Sequence, residues 1–164
     1  MSPGARLAAV STGVFGLDQA SKWLVVEAMG LAERMRIDVA PGFLTFRMGW
    51  NRGINFGLFA SGSETARLAL AALAVAAGAG VAVWALRRGD PRFAVGAALV
   101  VGGALGNAVD RLRYGAVADF LNVTCCGIVN PYAFNIADVA IFAGAFAIAL
   151  APAQAPRRSG GDAK

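Results

Sequence analysis

Four long apolar stretches dominate this sequence of 164 residues. They cover residues 7–29, 66–86, 93–109 and 134–151. A helix needs about 20 predominantly apolar residues to cross the hydrocarbon core of a bilayer, and 57% of this chain is hydrophobic while only 15% is charged. We therefore predict an all-α membrane protein with four transmembrane helices. It forms one domain over residues 1–151, followed by a disordered cytoplasmic tail at residues 152–164.

The first apolar stretch is also compatible with a cleaved signal peptide, because Arg6 precedes an apolar run that small residues follow. Asp18 and Lys22 interrupt that run. A signal peptide would have an uninterrupted apolar segment there, so the two charges favour a retained span.

The arginines indicate the orientation of the chain rather than a nucleic acid partner. The formal net charge is +5, but the basic residues are spread over loops and tails, and we expect no nucleic acid to bind. Arg87, Arg88 and Arg92 lie in the short connection between the second and third stretches. Because cytoplasmic loops carry an excess of Lys and Arg, this connection and both termini are predicted to be cytoplasmic.

Residues 31–64, between the first two stretches, contain a β pattern. Within them Leu44, Phe46, Met48 and Trp50 alternate with Thr45, Arg47 and Gly49. Period-two alternation is typical of a half-buried strand, and Pro41-Gly42 supplies a turn before it. We predict a small extracytoplasmic sheet at the membrane surface. In the third stretch, Gly102, Gly103 and Gly106 predict close helix–helix packing.

The absence of histidine excludes several kinds of active site. Ser-His and Cys-His nucleophilic sites and the His-Glu-x-x-His zinc site all need it. A Ser21-Lys22 dyad is disfavoured because neighbouring helical residues point about 100° apart. Cys125 and Cys126 are adjacent and define no disulfide framework; we interpret them as ordinary loop residues, with oxidation or an intermolecular bridge as the alternative.

Four aspartates in or beside the apolar stretches remain as candidates for chemistry: Asp18, Asp110, Asp119 and Asp138. A carboxylate buried in a bilayer costs at least several kcal/mol and usually has a partner or a function. Asp18 and Lys22 are four apart on one helical face, so they either form a structural ion pair or border a site.

Two further pairs, Asn107 with Asp110 and Asn135 with Asp138, are each spaced three apart and project to one side of a helix. For the second pair, Asn135 as the N-cap of the last helix is a sufficient structural explanation. Asp119 is either an exposed loop acid or one of two carboxylates that share a proton in a poorly solvated place. Such a pair hydrolyses peptides by general base and acid catalysis, without metal or cofactor.

Five motifs in order make the chain similar to the lipoprotein signal peptidases, or type II signal peptidases. The motifs are Asp18-Gln19-Ala20-Ser21-Lys22, Asn51-Arg52-Gly53 with Phe56-Gly57, residues 102–111, residues 115–120, and Phe134-Asn135-Ile136-Ala137-Asp138. The resemblance implies that Asp119 and Asp138 are the catalytic pair. It also implies supporting or substrate-binding roles for Asp18, Lys22, Asn51, Gly53, Asn107, Asp110, Arg111 and Asn135.

The same resemblance implies a four-helix bundle with an antiparallel β-cradle in the bacterial cytoplasmic (inner) membrane. The implied substrates are diacylglyceryl-modified prolipoproteins, cut just before the lipidated cysteine near the extracytoplasmic face, and the implied partners include membrane lipids and cyclic peptide inhibitors such as globomycin. No metal or cofactor is expected. The sequence departs from the family at Ile54, Asn55 and Gly57, which leaves substrate contacts there open.

Which aspartate is the base is a separate hypothesis. Asp138 lies near a predicted helix N-terminus, so we expect it to be ionised and to act first as base, with the shared proton on Asp119. Two other functions compete with peptidase activity. One is a transporter or proton channel, which would need carboxylates throughout the membrane thickness; the other is a non-catalytic lipoprotein-binding scaffold.

Overall fold

The computed structural model describes residues 1–53, 64–125 and 130–151, which form a mainly helical fold with one small sheet. The helices are α1 (Pro3–Lys22), α2 (Leu31–Arg34), α3 (Glu64–Arg88), α4 (Pro91–Tyr114) and α5 (Ile136–Leu150). The strands are β1 (Arg36–Ala40), β2 (Leu44–Asn51) and β3 (Val117–Val123). The predicted tail and positions Ile54, Asn55 and Gly57 lie outside the described residues.

Helix α1 covers the first apolar stretch and continues beyond Lys22 without a break. At its start the Ser2 hydroxyl accepts a hydrogen bond from Ala5 N at 3.2 Å, and Pro3 occupies the first turn, where its missing N–H has no helical partner to lose. After Lys22 the chain runs on as a π-helix over Trp23–Ala28. Single π-helical turns are frequent at functional sites, and this one directly follows a buried lysine.

The strands form an antiparallel sheet in the order β1-β2-β3. The β1–β2 hairpin turns through Gly42, whose φ of +78° is a conformation that favours glycine. The strand predicted at residues 44–50 is confirmed as β2. The segment around Asp119 is not a loop but strand β3; it shows no alternation because both of its faces are largely buried.

An apolar core joins the sheet to the π-helical segment. It consists of Val25, Val26, Leu31, Met48, Ala118 and Phe120, all at most 6% exposed. The Phe120 ring packs edge-on against Phe46 with centroids 5.8 Å apart. This core fixes the sheet across one end of the helices.

Helix α4 packs against α1, α3 and α5. A Cβ atom at Gly102 would lie 2.7 Å from the carbonyl oxygen of Ser11 in α1, and one at Gly103 would overlap the carbonyl oxygen of Ala137 in α5. Atoms this close do not coexist, so only glycine permits these approaches. The predicted role of the two glycines in close helix packing is confirmed.

By length and hydropathy, two of the described helices, α3 and α4, can cross a membrane. Helix α5 is apolar but has only 15 residues. Helix α1 does not meet the same criterion, since Arg6, Asp18 and Gln19 lower its hydropathy. On these grounds two of the four predicted spans are supported among the described residues, and the prediction that α1 and α5 also cross the membrane is not confirmed.

Cys125 differs from the sequence-based interpretation. It is disulfide-bonded, so it is not an ordinary loop residue with a free thiol. The other cysteine of the sequence, Cys126, lies outside the described residues.

Candidate active site

Polar side chains from α1, α4, β3 and α5 meet at the end of the helical bundle that the sheet covers. The buried ones include Asp18, Lys22, Asn107, Asp110, Asp119 and Asn135. Six side-chain contacts among them and with Asp138, hydrogen bonds or ion pairs, are 3.4 Å or shorter. Burial makes such a network costly unless its members satisfy one another, and here they do.

Lys22 lies at the centre of one half of this network. Its ammonium group is 2.8 Å from Asp18 Oδ2 and 2.7 Å from Asp110 Oδ2, and it donates to Asn107 Oδ1 at 3.4 Å. Its charge is thus met by two carboxylates, and it also donates to one amide oxygen. The predicted Asp18–Lys22 pair is confirmed. The Ser21-Lys22 dyad is not formed, because the Ser21 hydroxyl donates to the Asp18 carbonyl oxygen at 2.7 Å.

Asn135 and Asp138 form a capping box at the start of α5. Asn135 Oδ1 accepts from Asp138 N at 2.8 Å, and Asp138 Oδ2 accepts from Asn135 N at 3.2 Å. The N-cap assignment of Asn135 is therefore confirmed. The remaining oxygen, Asp138 Oδ1, accepts from Asn107 Nδ2 at 2.9 Å, so the carboxylate is held from two helices at once.

Asp119 lies on β3 opposite Gly49 of β2 and is 6% exposed. Its Oδ1 accepts a hydrogen bond from Asn135 Nδ2 at 2.7 Å, and its carboxyl also hydrogen-bonds to Asn51. Burial, and next the negative charge of Asp138, raise the pKa of Asp119 to about 6, although the two asparagines act in the opposite direction. Asp119 is thus not the exposed loop acid of the alternative interpretation.

The remaining candidate residues surround this pair. Arg111 Nη1 donates to the Asn107 carbonyl oxygen at 3.2 Å, and its charge interacts electrostatically with Asp119 and Asp138. Asn51 Oδ1 accepts from Gly53 N at 3.1 Å, which closes a turn after β2. Gly53 has a φ of +102°, and a Cβ there would lie 2.5 Å from a side-chain carbon of Leu70. The ten candidate residues therefore occupy one region.

Gln19 belongs to this region although the sequence analysis gave it no role. Its Nε2 donates at 3.1 Å both to Asp18 Oδ2 and to Asp110 Oδ1. Adjacent helical side chains do not face each other in general, so its position next to Asp18 gave no indication of a shared contact.

An apolar groove of about 650 Å³ begins at Asp138 and follows α5. Its other lining residues are Phe134, Val139, Phe142, Ala143 and Phe146. Phe142 and Phe146 are 77% and 66% exposed. A carboxylate in the lining of an apolar groove suits a substrate that presents a polar bond beside a long apolar group.

Two neighbouring carboxylates, of which one has a raised pKa, are suited to hydrolysis by general base and general acid. Among the described residues no three Cys, Asp or Glu side chains are grouped so that they could hold a metal ion. The expectation that the site needs no metal remains a prediction.

A family model described as signal peptidase (SPase) II matches residues 10–153. The chain belongs to the signal peptidase II family. Its function is therefore that of a peptidase, and the two alternative functions, a transporter or channel and a non-catalytic scaffold, are not supported. Every candidate residue named above lies inside the matched range.

Relatives named lipoprotein signal peptidase match over most of their length. One from Methylorubrum extorquens is 43% identical over 82% of this chain and 77% of its own. One from Methylobacterium sp. strain 4-46 is 40% identical over 83% and 81%. One from Rhodopseudomonas palustris strain CGA009 is 39% identical over 80% and 82%.

Two solved bacterial membrane enzymes, both determined by the in meso method, have a similar fold. The first, at 2.3 Å resolution, has a TM-score of 0.65 and 26% identity over 87% of this chain and 84% of its own. The second, at 1.9 Å, has a TM-score of 0.74 and 24% identity over 88% and 90%. The mainly helical fold with a small sheet is thus shared with enzymes of bacterial membranes.

Proposed function

We propose that Asp119 and Asp138 are the catalytic pair of this signal peptidase. Family membership and the named relatives identify the reaction as removal of signal peptides from lipoproteins. The observation that carries the proposal is the position of Asn135, which hydrogen-bonds to both carboxylates, at 2.7 Å to Asp119 and at 3.2 Å through its backbone N–H to Asp138. Asn135 thereby links the two carboxyl groups through its side chain and its backbone.

The two carboxylates differ in their surroundings, and the difference assigns their first roles. Asp138 lies in the first turn of α5, where the helix dipole favours a negative charge, and its carboxylate accepts hydrogen bonds from Asn107 Nδ2 and from the backbone N–H of Asn135. Asp119 lies on a strand, and burial raises its pKa to about 6. The proton that the pair shares therefore belongs on Asp119, and Asp138 is the base.

Hydrolysis then follows in two balanced steps. Asp138 takes a proton from water as the water oxygen attacks the scissile carbonyl carbon, and Asp119 gives its proton to the carbonyl oxygen. The resulting gem-diol collapses when Asp119 takes a proton back from one hydroxyl and Asp138 protonates the leaving amine nitrogen, which breaks the C–N bond. Both carboxyls return to their starting protonation states.

The proposed substrates are diacylglyceryl-modified prolipoproteins, cut just before the lipidated cysteine. The groove along α5 supports this, since it starts at Asp138 and offers Phe134, Phe142 and Phe146 to an apolar chain. Membrane lipids would fill the groove between turnovers, and cyclic peptide inhibitors such as globomycin would compete for it.

We further propose that α1, α3, α4 and α5 all cross the bacterial cytoplasmic membrane, with both termini in the cytoplasm. Helix α1 can do so because Asp18 and Lys22 are buried and paired, while its other charge, Arg6, lies in its first turn. Arg87, Arg88 and Arg92 lie at the end of the bundle opposite the site. By the distribution of positive charge the site then faces the extracytoplasmic side.

Purified full-length protein in detergent and a synthetic diacylglyceryl-modified precursor peptide provide the test. Asp119→Asn and Asp138→Asn should each abolish cleavage while circular dichroism and elution volume stay unchanged. The matched control is Asp38→Asn, an exposed aspartate on β1 paired with Arg36, which should cleave normally. Cleavage retained by either site variant would sink the catalytic pair, and wild-type protein that binds the peptide without cutting it would refute the substrate.

A further inference from the structure

Two buried carboxylates, Asp18 and Asp110, take no part in the proposed hydrolysis. Asp18 and Asp110 are fully buried, come from different helices, and both contact the ammonium group of Lys22, at 2.8 and 2.7 Å. Gln19 Nε2 adds a second bridge between them, with 3.1 Å to each. An ion network of this kind is expensive to bury, and a single Asp18–Lys22 pair would have neutralised both of its charges.

Both carboxylates also accept hydrogen bonds from the backbone beside the catalytic pair, Asp18 through its second oxygen and Asp110 through the same oxygen that contacts Lys22. Asp18 Oδ1 accepts from the backbone N–H of Ala137 at 2.9 Å, and Asp110 Oδ2 accepts from that of Ala118 at 3.1 Å. Ala137 immediately precedes Asp138, and Ala118 immediately precedes Asp119. Each catalytic aspartate therefore has its preceding peptide held by one carboxylate of the Lys22 network.

We propose that Lys22 is a positioning residue that sets the separation of Asp119 and Asp138, by drawing Asp18 and Asp110 together and through them fixing the amides of Ala137 and Ala118. This inference rests on the proposed catalytic pair. Asn135 and the pairing of Leu121 with Phe134 join β3 to the start of α5. The Lys22 network adds a second link, which acts on the peptides directly before the two catalytic aspartates. Positioning matters here, since a displacement of about 1 Å in an active site can cost about 100-fold in rate.

The network also explains the glycine at position 106. A Cβ there would overlap Asp18 Oδ2, so glycine lets the carboxylate lie against α4 and reach across to Ala137 in α5. At this position the glycine therefore makes room for one carboxylate oxygen of the network, rather than for a general backbone contact between α4 and α1.

The test combines a cavity variant with chemical rescue. Lys22→Ala removes three methylene groups and the ammonium group. Propylammonium has the same length and charge as the removed part of the side chain. 1-Propanol has a similar size but no charge. We expect Lys22→Ala to lower kcat about 100-fold with KM changed less than about threefold. Propylammonium should restore kcat at least about tenfold while 1-propanol does not. Ser21→Ala, on the same helix but outside the network, is the matched control and should behave as wild type.

A second measurement needs no substrate, so it separates this inference from the proposed function. Amide hydrogen exchange at Ala118 and Ala137, followed by NMR, should accelerate together in Lys22→Ala and slow again with propylammonium. A peptide that wild type fails to cleave refutes the proposed function, and the exchange result still decides the role of Lys22. Acceleration at neither or only one amide, equal rescue by 1-propanol, or a change in KM alone would overturn it.

Should Lys22→Ala not fold, Asp110→Asn takes its place. Its amide oxygen still accepts from Ala118 but binds Lys22 without a charge. We expect kcat to fall at least about tenfold at constant KM, with faster exchange at Ala118. Wild-type kcat in that variant would contradict the proposal.

Discussion

Asp119→Asn should make the protein more stable at neutral pH while abolishing its activity. In the folded protein the pKa of Asp119 is raised to about 6, from an ordinary value of 3.8, chiefly by burial and next by Asp138. Each pKa unit corresponds to about 1.4 kcal/mol, so ionised Asp119 costs the fold up to about 3 kcal/mol. Screening by water and the loss of hydrogen bonds to an anion reduce the net gain on substitution to about 1 to 2 kcal/mol.

The sign of the pH dependence follows from the direction of the shift. The folded state binds the Asp119 proton more tightly than the unfolded state. The stability that this proton contributes is therefore fully present below about pH 3.8 and is lost as the pH rises through about 6. The advantage of Asp119→Asn should thus be full at about pH 7.5 and nearly absent at about pH 4.

Thermal unfolding of both proteins in the same detergent at the two pH values measures this difference. A gain of about 1 to 2 kcal/mol corresponds to roughly 3 to 6 °C in Tm for a chain of this size. Asp38→Asn is the control, because hydrogen bonds from Arg36 and Thr45 hold the pKa of Asp38 below its usual value and its removal should not stabilise. An Asp119→Asn protein that melts below wild type at about pH 7.5, or whose advantage is the same at both pH values, refutes the reasoning.

Three further outcomes are expected. Gly103→Ala should lower stability by about 1 to 3 kcal/mol, because its Cβ would overlap the backbone of α5, whereas Gly13→Ala, with open space around it, should be neutral or stabilising by chemical denaturation. Asn107→Leu should lower kcat more than it raises KM, since Asn107 Nδ2 holds Asp138 Oδ1 at 2.9 Å; an unchanged kcat in peptide cleavage would contradict this. Phe142→Ala should raise KM for a lipidated peptide and leave kcat within about twofold, and an unaltered KM would remove the groove from substrate binding.

Much of the local geometry was predictable because it depends on residues close in sequence. The spacing of four between Asp18 and Lys22 indicated their ion pair, and the spacing of three between Asn135 and Asp138 indicated the cap. The alternation in residues 44–50 indicated β2 in the same way. Helical and strand periodicity determine these contacts before any tertiary structure exists.

The parts that were not predictable depend on pairing between distant segments. Strand β3 is buried on both faces and resembles any short apolar run, so nothing local indicated that it adds to β2 and brings Asp119 to Asn135, 16 residues on. The contact of Lys22 with Asp110 likewise joins two helices whose relative rotation the sequence does not state. The choice of Asp119 over Asp110 as the partner of Asp138 came from family resemblance alone.

Helix α4 carries its packing contacts and its chemistry in one short stretch. Gly102 and Gly103 fit against α1 and α5, Asn107 holds Asp138, and Asp110 reaches Lys22. Inserting or deleting one residue between Gly103 and Asn107 would turn one half of this stretch by about 100° relative to the other. Length variation in this family should therefore fall in the connections around α4, while these nine consecutive positions, 102–110, keep a constant spacing.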